Sequence, residues 1–279
     1  MAFPFFGGGA PRVAVLRLFG TIGTSTTGRG LSLATLARDL ETAFRMRGAK
    51  AVALCINSPG GSPVQSNLIY ARIRALATET KMPVYAFVED AAASGGYWLA
   101  CAADEIFADA NSVVGSIGVI SAGFGFPGLL AKLGVERRLY AAGEHKGMLD
   151  AFSPERQDDI ARLLELQKTV HQSFIDLVRG RRGAKLKADD AKLFSGEFWS
   201  GSQGVGLGLV DGLGDLRTIL RQRFGDKVRL KVVGKRGGGL RMLLGRTAIE
   251  APDLSALSEW PDRLLGALEA RALWARFGL

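Results

Sequence analysis

Apolar and polar positions along the chain follow two rhythms. Short apolar runs occur at 12–19 (RVAVLRLF), 51–56 (AVALCI) and 83–88 (PVYAFV). All three read as strands, and the uninterrupted runs at 51–56 and 83–88 predict strands buried on both faces. Between the first two, Leu33, Leu36, Ala37, Leu40 and Phe44 recur at helical spacing and predict an amphipathic helix over 32–47. Pro63 opens a second predicted helix that reaches Thr80, and Ser94 heads a third. A short strand is expected near 105–108. Strand–helix alternation of this kind predicts an α/β fold.

The second half is more helical. Ser153-Pro154 reads as a helix start, with a serine cap and proline at the first helical position. That helix is expected to run to Arg179, with Ile160, Leu163, Leu164, Val170, Phe174 and Leu177 on one side. A helix this long projects unless it packs on a neighbour, so contacts between copies are expected. A shorter helix follows at 186–194, then a glycine-rich stretch at 196–214 and a strand at 228–233. Gly237–Gly239 reads as a linker, and a helical tail starts near Leu254. The chain thus divides into a flexible segment at 1–11, one main domain at 12–234, and a linker and helical tail at 235–279.

Composition narrows the classes. Of 279 residues, 47% are hydrophobic and 23% charged, which fits a globular protein with a sizeable core. Cys55 and Cys101 are the only cysteines, and both lie among apolar neighbours. They read as core residues, with no disulfide framework or zinc site, and no cofactor or metal is expected. The net charge of +9 resides in Arg217–Arg246, which holds ten Lys and Arg against Asp226 alone. This segment is either a solvated surface or, with the apolar tail, a peripheral contact to an anionic membrane. A nucleic-acid partner is not expected. The first residues lack the basic and apolar stretches of a signal peptide. The uncharged run Ala110–Ala131 is broken by glycine and proline and reads as buried strand and turn rather than a span.

Candidate chemistry gathers at a few polar residues in apolar or glycine-rich settings. Ser94 in Ala-Ala-Ala-Ser-Gly-Gly-Tyr approximates a strand–turn–helix nucleophile elbow. A serine hydroxyl needs a base to take its proton. Lys146 in Ala-Gly-Glu-His-Lys-Gly is the candidate, because a desolvated lysine can be neutral. His145 remains open as a minority base, and His171 reads as a surface or interface residue. Asn57-Ser-Pro-Gly-Gly61 is a turn whose bare N–H groups suit an oxyanion hole. The GxGxxG at Gly123–Gly128 reads as a turn, not a dinucleotide site.

Taken in order, Asn57-Ser-Pro-Gly60-Gly61, Ala93-Ser94-Gly95-Gly96-Tyr97, Gly115-Ser116-Ile-Gly118 and Ala142-Gly143-Glu-His-Lys146 resemble the signal peptide peptidase A family of Ser/Lys serine peptidases. Gly208-Leu-Val-Asp211 is similar to a later signature of that family. The resemblance spans residues 12–224. It implies a ClpP/crotonase-like fold of stacked ββα units that assembles into a ring or dome. It also implies Ser94 as nucleophile, Lys146 as general base and Ser116 as the residue holding the lysine. The backbone N–H groups of Gly61 and Gly95 become the oxyanion hole, and one subunit's lysine can serve a neighbour's site. The expected substrates are short apolar peptides such as signal-peptide remnants. The family's N-terminal membrane anchor is not visible here, so a cytoplasmic or peripherally membrane-associated bacterial location is expected. A crotonase-fold enzyme acting on acyl-CoA thioesters and a non-catalytic membrane-surface scaffold stay open as other readings.

Overall fold

The computed structural model describes residues 10–23, 30–234 and 260–279. The expected linker at Gly237–Gly239, most of the segment 1–11, the end of the basic stretch and the start of the tail lie outside the described residues.

The predicted buried strands form the centre of one sheet. Strands β1 (Arg12–Phe19), β2 (Ala49–Ser58) and β3 (Val84–Ala93) pair in parallel, and β8 (Arg229–Val233) adds to the free edge of β1. Along its other edge β3 changes partner. Tyr85–Val88 pairs with β4 (Glu105–Ala108), and Ala91–Ala93 pairs with β5 (Val113–Gly115). Two short strands complete the sheet. β6 (Phe198–Ser200) runs antiparallel to β5, and β7 (Gly212–Leu213) pairs with β4.

The uninterrupted apolar runs reflect two covered faces. Leu16, Leu18, Leu54, Ile56 and Val84 face the larger core, built with helices α1 (Leu33–Phe44), α2 (Pro63–Thr80) and α3 (Gly95–Ala100). Val13, Val15, Ala53, Cys55 and Phe87 face a smaller core closed by Leu220 of α8 (Leu216–Phe224). Local chemistry sets the helix starts. Ser32 and Thr35 form a reciprocal capping box on α1, and Ser62 caps α2 with Pro63 behind it.

After β5 the chain leaves the body in a mostly exposed excursion, residues 118–155, which holds the one-and-a-half-turn helix α4 (Pro127–Lys132). The long helix α5 (Gln157–Arg182) brings it back. Its start differs from the expected Ser153-Pro154. Ser153 Oγ instead donates to Asp150 Oδ2 (2.9 Å), and the helix begins four residues later than Ser153. Two of the remaining helices are short, α6 (Asp190–Leu193) and α7 (Gly201–Leu207), and a 16-residue helix, α9 (Trp260–Ala275), follows near the end of the chain. The glycine-rich 196–214 stretch, for which no element was expected, carries β6, α7 and β7. Its signal was hidden because Gly201 and Gly204 lie against other elements rather than in turns. A Cβ on Gly201 would stand 2.0 Å from the Asp109 carbonyl oxygen.

Candidate active site

The end of β3 delivers Ser94 to the surface. Ser94 has φ 52° and ψ −122°, a conformation that costs an ordinary residue about 1–3 kcal/mol. Its neighbours impose it. The Ser94 N–H donates to the Gly115 carbonyl (2.8 Å) at the end of β5, while its own carbonyl accepts from Tyr97 and Trp98 and starts α3. The hydroxyl makes no capping bond to the helix, which leaves it free for another partner.

The Asn57–Gly61 turn packs directly on this elbow. At the end of β2 the pairing with β3 shifts register between Ile56 and Ser58. Asn57 patches the gap, accepting from Ala91 N through Oδ1 and donating to Asp90 through Nδ2. The chain then turns under Ser94. Gly61, at φ +143°, touches Ile22 so closely that a Cβ would stand 2.0 Å from the Ile22 carbonyl oxygen. A Cβ placed on Gly95 would be 3.4 Å from Gly61 N, so the two backbone nitrogens flank one space. Gly95 is the first residue of α3, and no carbonyl in its helix reaches its N–H. The arrangement can present two N–H donors beside a serine hydroxyl, as acyl transfer requires.

Ser94, Gly61 and Ser116 line one open cleft of about 510 Å³. Ser116 is buried and sits at positive φ, its N–H held by the Glu197 carbonyl (2.7 Å). Gly118, Val119 and Ile120, which lie outside any helix or strand, line the cleft as well. His171 of α5 also lines the cleft, and its Nε2 lies 3.0 Å from the Ile117 carbonyl oxygen. His171, expected at a surface or interface, is thus a half-buried part of the cleft lining. Spacing held the signal, since His171 falls in helical register with Phe174, Val178 and Arg182, all buried. Leu273 and Arg276 from the end of the chain line the outer rim, and Phe277 packs edge-on against Phe198 (5.1 Å).

A sequence profile described as peptidase family S49 matches residues 77–227, which include this elbow and the 208–211 loop. The chain belongs to peptidase family S49. It is 52% identical over 278 residues to a Brucella abortus protein named Na(+)/H(+) antiporter NhaA, covering 96% of this chain and 37% of that protein. It is 32% identical over 234 residues to the chloroplastic serine protease SPPA of Arabidopsis thaliana, covering 81% of this chain and 34% of the relative. The chain thus spans about a third of the length of these curated relatives. Among solved structures, the 1510-N membrane-bound stomatin-specific protease superposes with a TM-score of 0.52 at 17% identity, covering 81% of this chain and 99% of that one. The fold is therefore the ClpP-like one that the motif resemblance implies. No helix among the described residues is long and apolar enough to cross a membrane.

In this S49 chain a second, much smaller compartment adjoins the cleft at Ser94. It is a niche of about 10 Å³ lined by Gly61, Ser94, Gly95, Trp98, Val119, Val170 and Phe174. Trp98 and Phe174 stack across its floor with centroids 4.6 Å apart. The Trp98 Nε1–H is buried and meets no acceptor among the described residues.

A buried clamp fixes α3 from below. Tyr97 donates its hydroxyl to the Leu209 carbonyl (2.7 Å). Arg182 donates to the Gly208 carbonyl and to Asp211, and Asp211 Oδ2 also accepts from Ile106 N. Burial pushes the Asp211 carboxyl up, but hydrogen bonds from Arg182, Lys185 and Ile106 outweigh it and hold the group below the usual range. The Gly208-Leu-Val-Asp211 signature is thus a support for the serine-bearing helix rather than a reacting part.

Lys146 is not brought to this cleft within one chain. It sits exposed in a turn of the 118–155 excursion, its N–H donating to the Gly143 carbonyl (3.1 Å), and it does not line the compartment that holds Ser94. His145 lies beside it, with Nε2 3.8 Å from Glu144. Four of the five residues singled out from the sequence therefore converge, and Lys146 stands apart.

Proposed function

We propose that the chain is a serine-type endopeptidase that works through an acyl-enzyme, with Ser94 as nucleophile and Lys146 as general base. The observation that carries this reading is the strained Ser94 elbow, open to a cleft and flanked by the backbone nitrogens of Gly61 and Gly95. Ser94 Oγ attacks the peptide carbonyl while its proton passes to the neutral Lys146 amine. The developing oxyanion accepts hydrogen bonds from Gly61 and Gly95. The ammonium of Lys146 then protonates the leaving amine, and water repeats the sequence to free the acid.

Lys146 reaches a Ser94 in this reading by assembly. The excursion that carries it exposes Phe124 (82%), Tyr140 (90%) and Leu133 (65%), an apolar display that marks a protein contact. A second copy docked there would remove Lys146 from water, which favours the neutral form that can act as a base. The homo-oligomer is thus part of the catalytic unit. Ser116, at the cleft edge, is placed to hold an incoming lysine. The substrates are short, extended, apolar peptides such as signal-peptide remnants, laid along Gly118–Ile120 as an added strand.

The test is hydrolysis of a fluorogenic apolar peptide library, with fluorophosphonate labelling, by wild type, Ser94→Ala and Lys146→Ala. Folding and assembly are checked for each. Loss of hydrolysis in both assembled variants, with labelling absent from Ser94→Ala, supports the dyad. Full activity in Lys146→Ala removes the lysine from it.

A further inference from the structure

The small niche beside Ser94 limits which residue can supply the attacked carbonyl, and this inference rests on the hydrolase reading above. Ser94, Gly61 and Gly95 all line it, whereas Gly95 does not line the larger cleft. A carbonyl carbon at Ser94 Oγ, with its oxygen toward the two glycine nitrogens, stands against the niche. The side chain on the carbon bonded to that carbonyl then has the niche as its nearest space.

The niche is small and its walls are held. Its volume of about 10 Å³ is close to that of a single water-sized group. Trp98 belongs to the helix that Ser94 heads, and Phe174 belongs to α5. Both are more than nine-tenths buried and stacked on each other. Neither ring can retreat without moving a helix, and forcing extra methylene groups into a packed site is unfavourable. Pro63, Gly118, Val119 and Val170 complete the lining. The larger compartment, at about 510 Å³, leaves room for the rest of an extended peptide.

We infer that the chain cleaves after small residues, glycine, alanine or serine, and that Trp98, Phe174 and Val170 set this limit. The substrate class is thus an extended apolar peptide with a small side chain at the residue whose carbonyl Ser94 attacks. Larger aliphatic and aromatic side chains are accommodated elsewhere along the cleft, not at that position.

The experiment uses the full-length chain and internally quenched peptides that differ only at that residue, which is alanine, serine, leucine or phenylalanine. Mass spectrometry identifies the bond cut. Alanine and serine peptides are expected to exceed leucine and phenylalanine in kcat/KM by at least about tenfold. Phe174→Ala should raise the leucine-to-alanine ratio. Because Phe174 is a core residue, Val170→Ala, at a half-buried position, provides the same test with less risk to folding. Equal or faster cleavage after leucine or phenylalanine by wild type overturns the inference. So does an unchanged ratio in every variant that folds. Fluorophosphonate labelling in parallel separates the two levels. A labelled Ser94 with the wrong residue preference sinks only the size limit, whereas absence of labelling and of any cleavage removes the hydrolase reading and the size limit with it.

Discussion

Gly60 lies directly beneath Ser94, so that a Cβ on Gly60 would stand 2.8 Å from the Ser94 Cβ and 2.9 Å from both Ala93 O and Gly95 N. Gly60 also has φ +102°, which L side chains rarely adopt. Gly60→Ala must therefore push the elbow and the oxyanion turn apart. A displacement near 1 Å at a reacting centre costs roughly 100-fold in rate. Peptide hydrolysis by Gly60→Ala should fall by about that factor or more, with stability lowered by about 1–3 kcal/mol. Wild-type turnover in a folded Gly60→Ala protein would mean that the turn does not organise the site.

The separation of Lys146 from the Ser94 cleft gives a second prediction. If one copy supplies the serine and another the lysine, Ser94→Ala and Lys146→Ala are each inactive alone. Mixed and allowed to exchange subunits, they should regain activity, because some sites then hold an intact serine facing an intact lysine. Turnover should also fall more steeply than linearly on dilution through the assembly range. Failure of mixtures to recover, with subunit exchange shown independently, would place both groups in one copy.

The central strands were legible because burial on both faces leaves an unbroken apolar run, as at Ala51–Ile56. The elbow was legible because Ser94, Gly95 and Gly96 answer steric needs that few sequences meet. A Cβ on Gly96, for example, would stand 2.6 Å from the Ser58 carbonyl oxygen. What escaped were positions set by contacts distant in sequence. The start of α5 is displaced because Asp150 captures Ser153, and α8 was hidden within a run notable only for its charge. The contact of His171 with Ile117 was not legible because the buried register of α5 runs on from Phe174 through Val178 to a charged residue, Arg182, which breaks the apolar pattern.

Both cysteines should resist thiol reagents in the folded protein. Burial, with a smaller contribution from Glu89, pushes the Cys55 thiol up to about 11, Arg17 opposing. Burial raises Cys101 to about 12 despite Arg182 and Arg181. Thiolate is the reacting form, so at pH 8 only about one Cys55 in a thousand is available. Iodoacetamide labelling at pH 8 should be slow for Cys55 and slower for Cys101, and rapid once denaturant exposes them. Fast labelling of native Cys101 would show that α3 opens locally.

Arg182 and Asp211 give the last prediction, in which pH and packing act together. Arg182 is 4% exposed and holds both the Gly208 carbonyl and the Asp211 carboxylate. Arg182→Ala leaves that carbonyl without its donors and the carboxylate with only Lys185 and the Ile106 N–H, at a cost of about 3 kcal/mol. For a domain of this size that is a fall in Tm of roughly 10 °C. Asp211 carries the pH dependence. Its folded value lies below the unfolded one, so its stabilisation is full above about pH 4. It fades as pH falls through the folded value, when the protonated carboxyl loses its attraction to Arg182 and Lys185. Denaturant titrations between pH 3 and 7 should therefore show Arg182→Ala and wild type differing most at neutral pH and converging on acidification. A gap that stays constant down to pH 3 would mean that Arg182 acts by packing and by its bond to Gly208, not through Asp211.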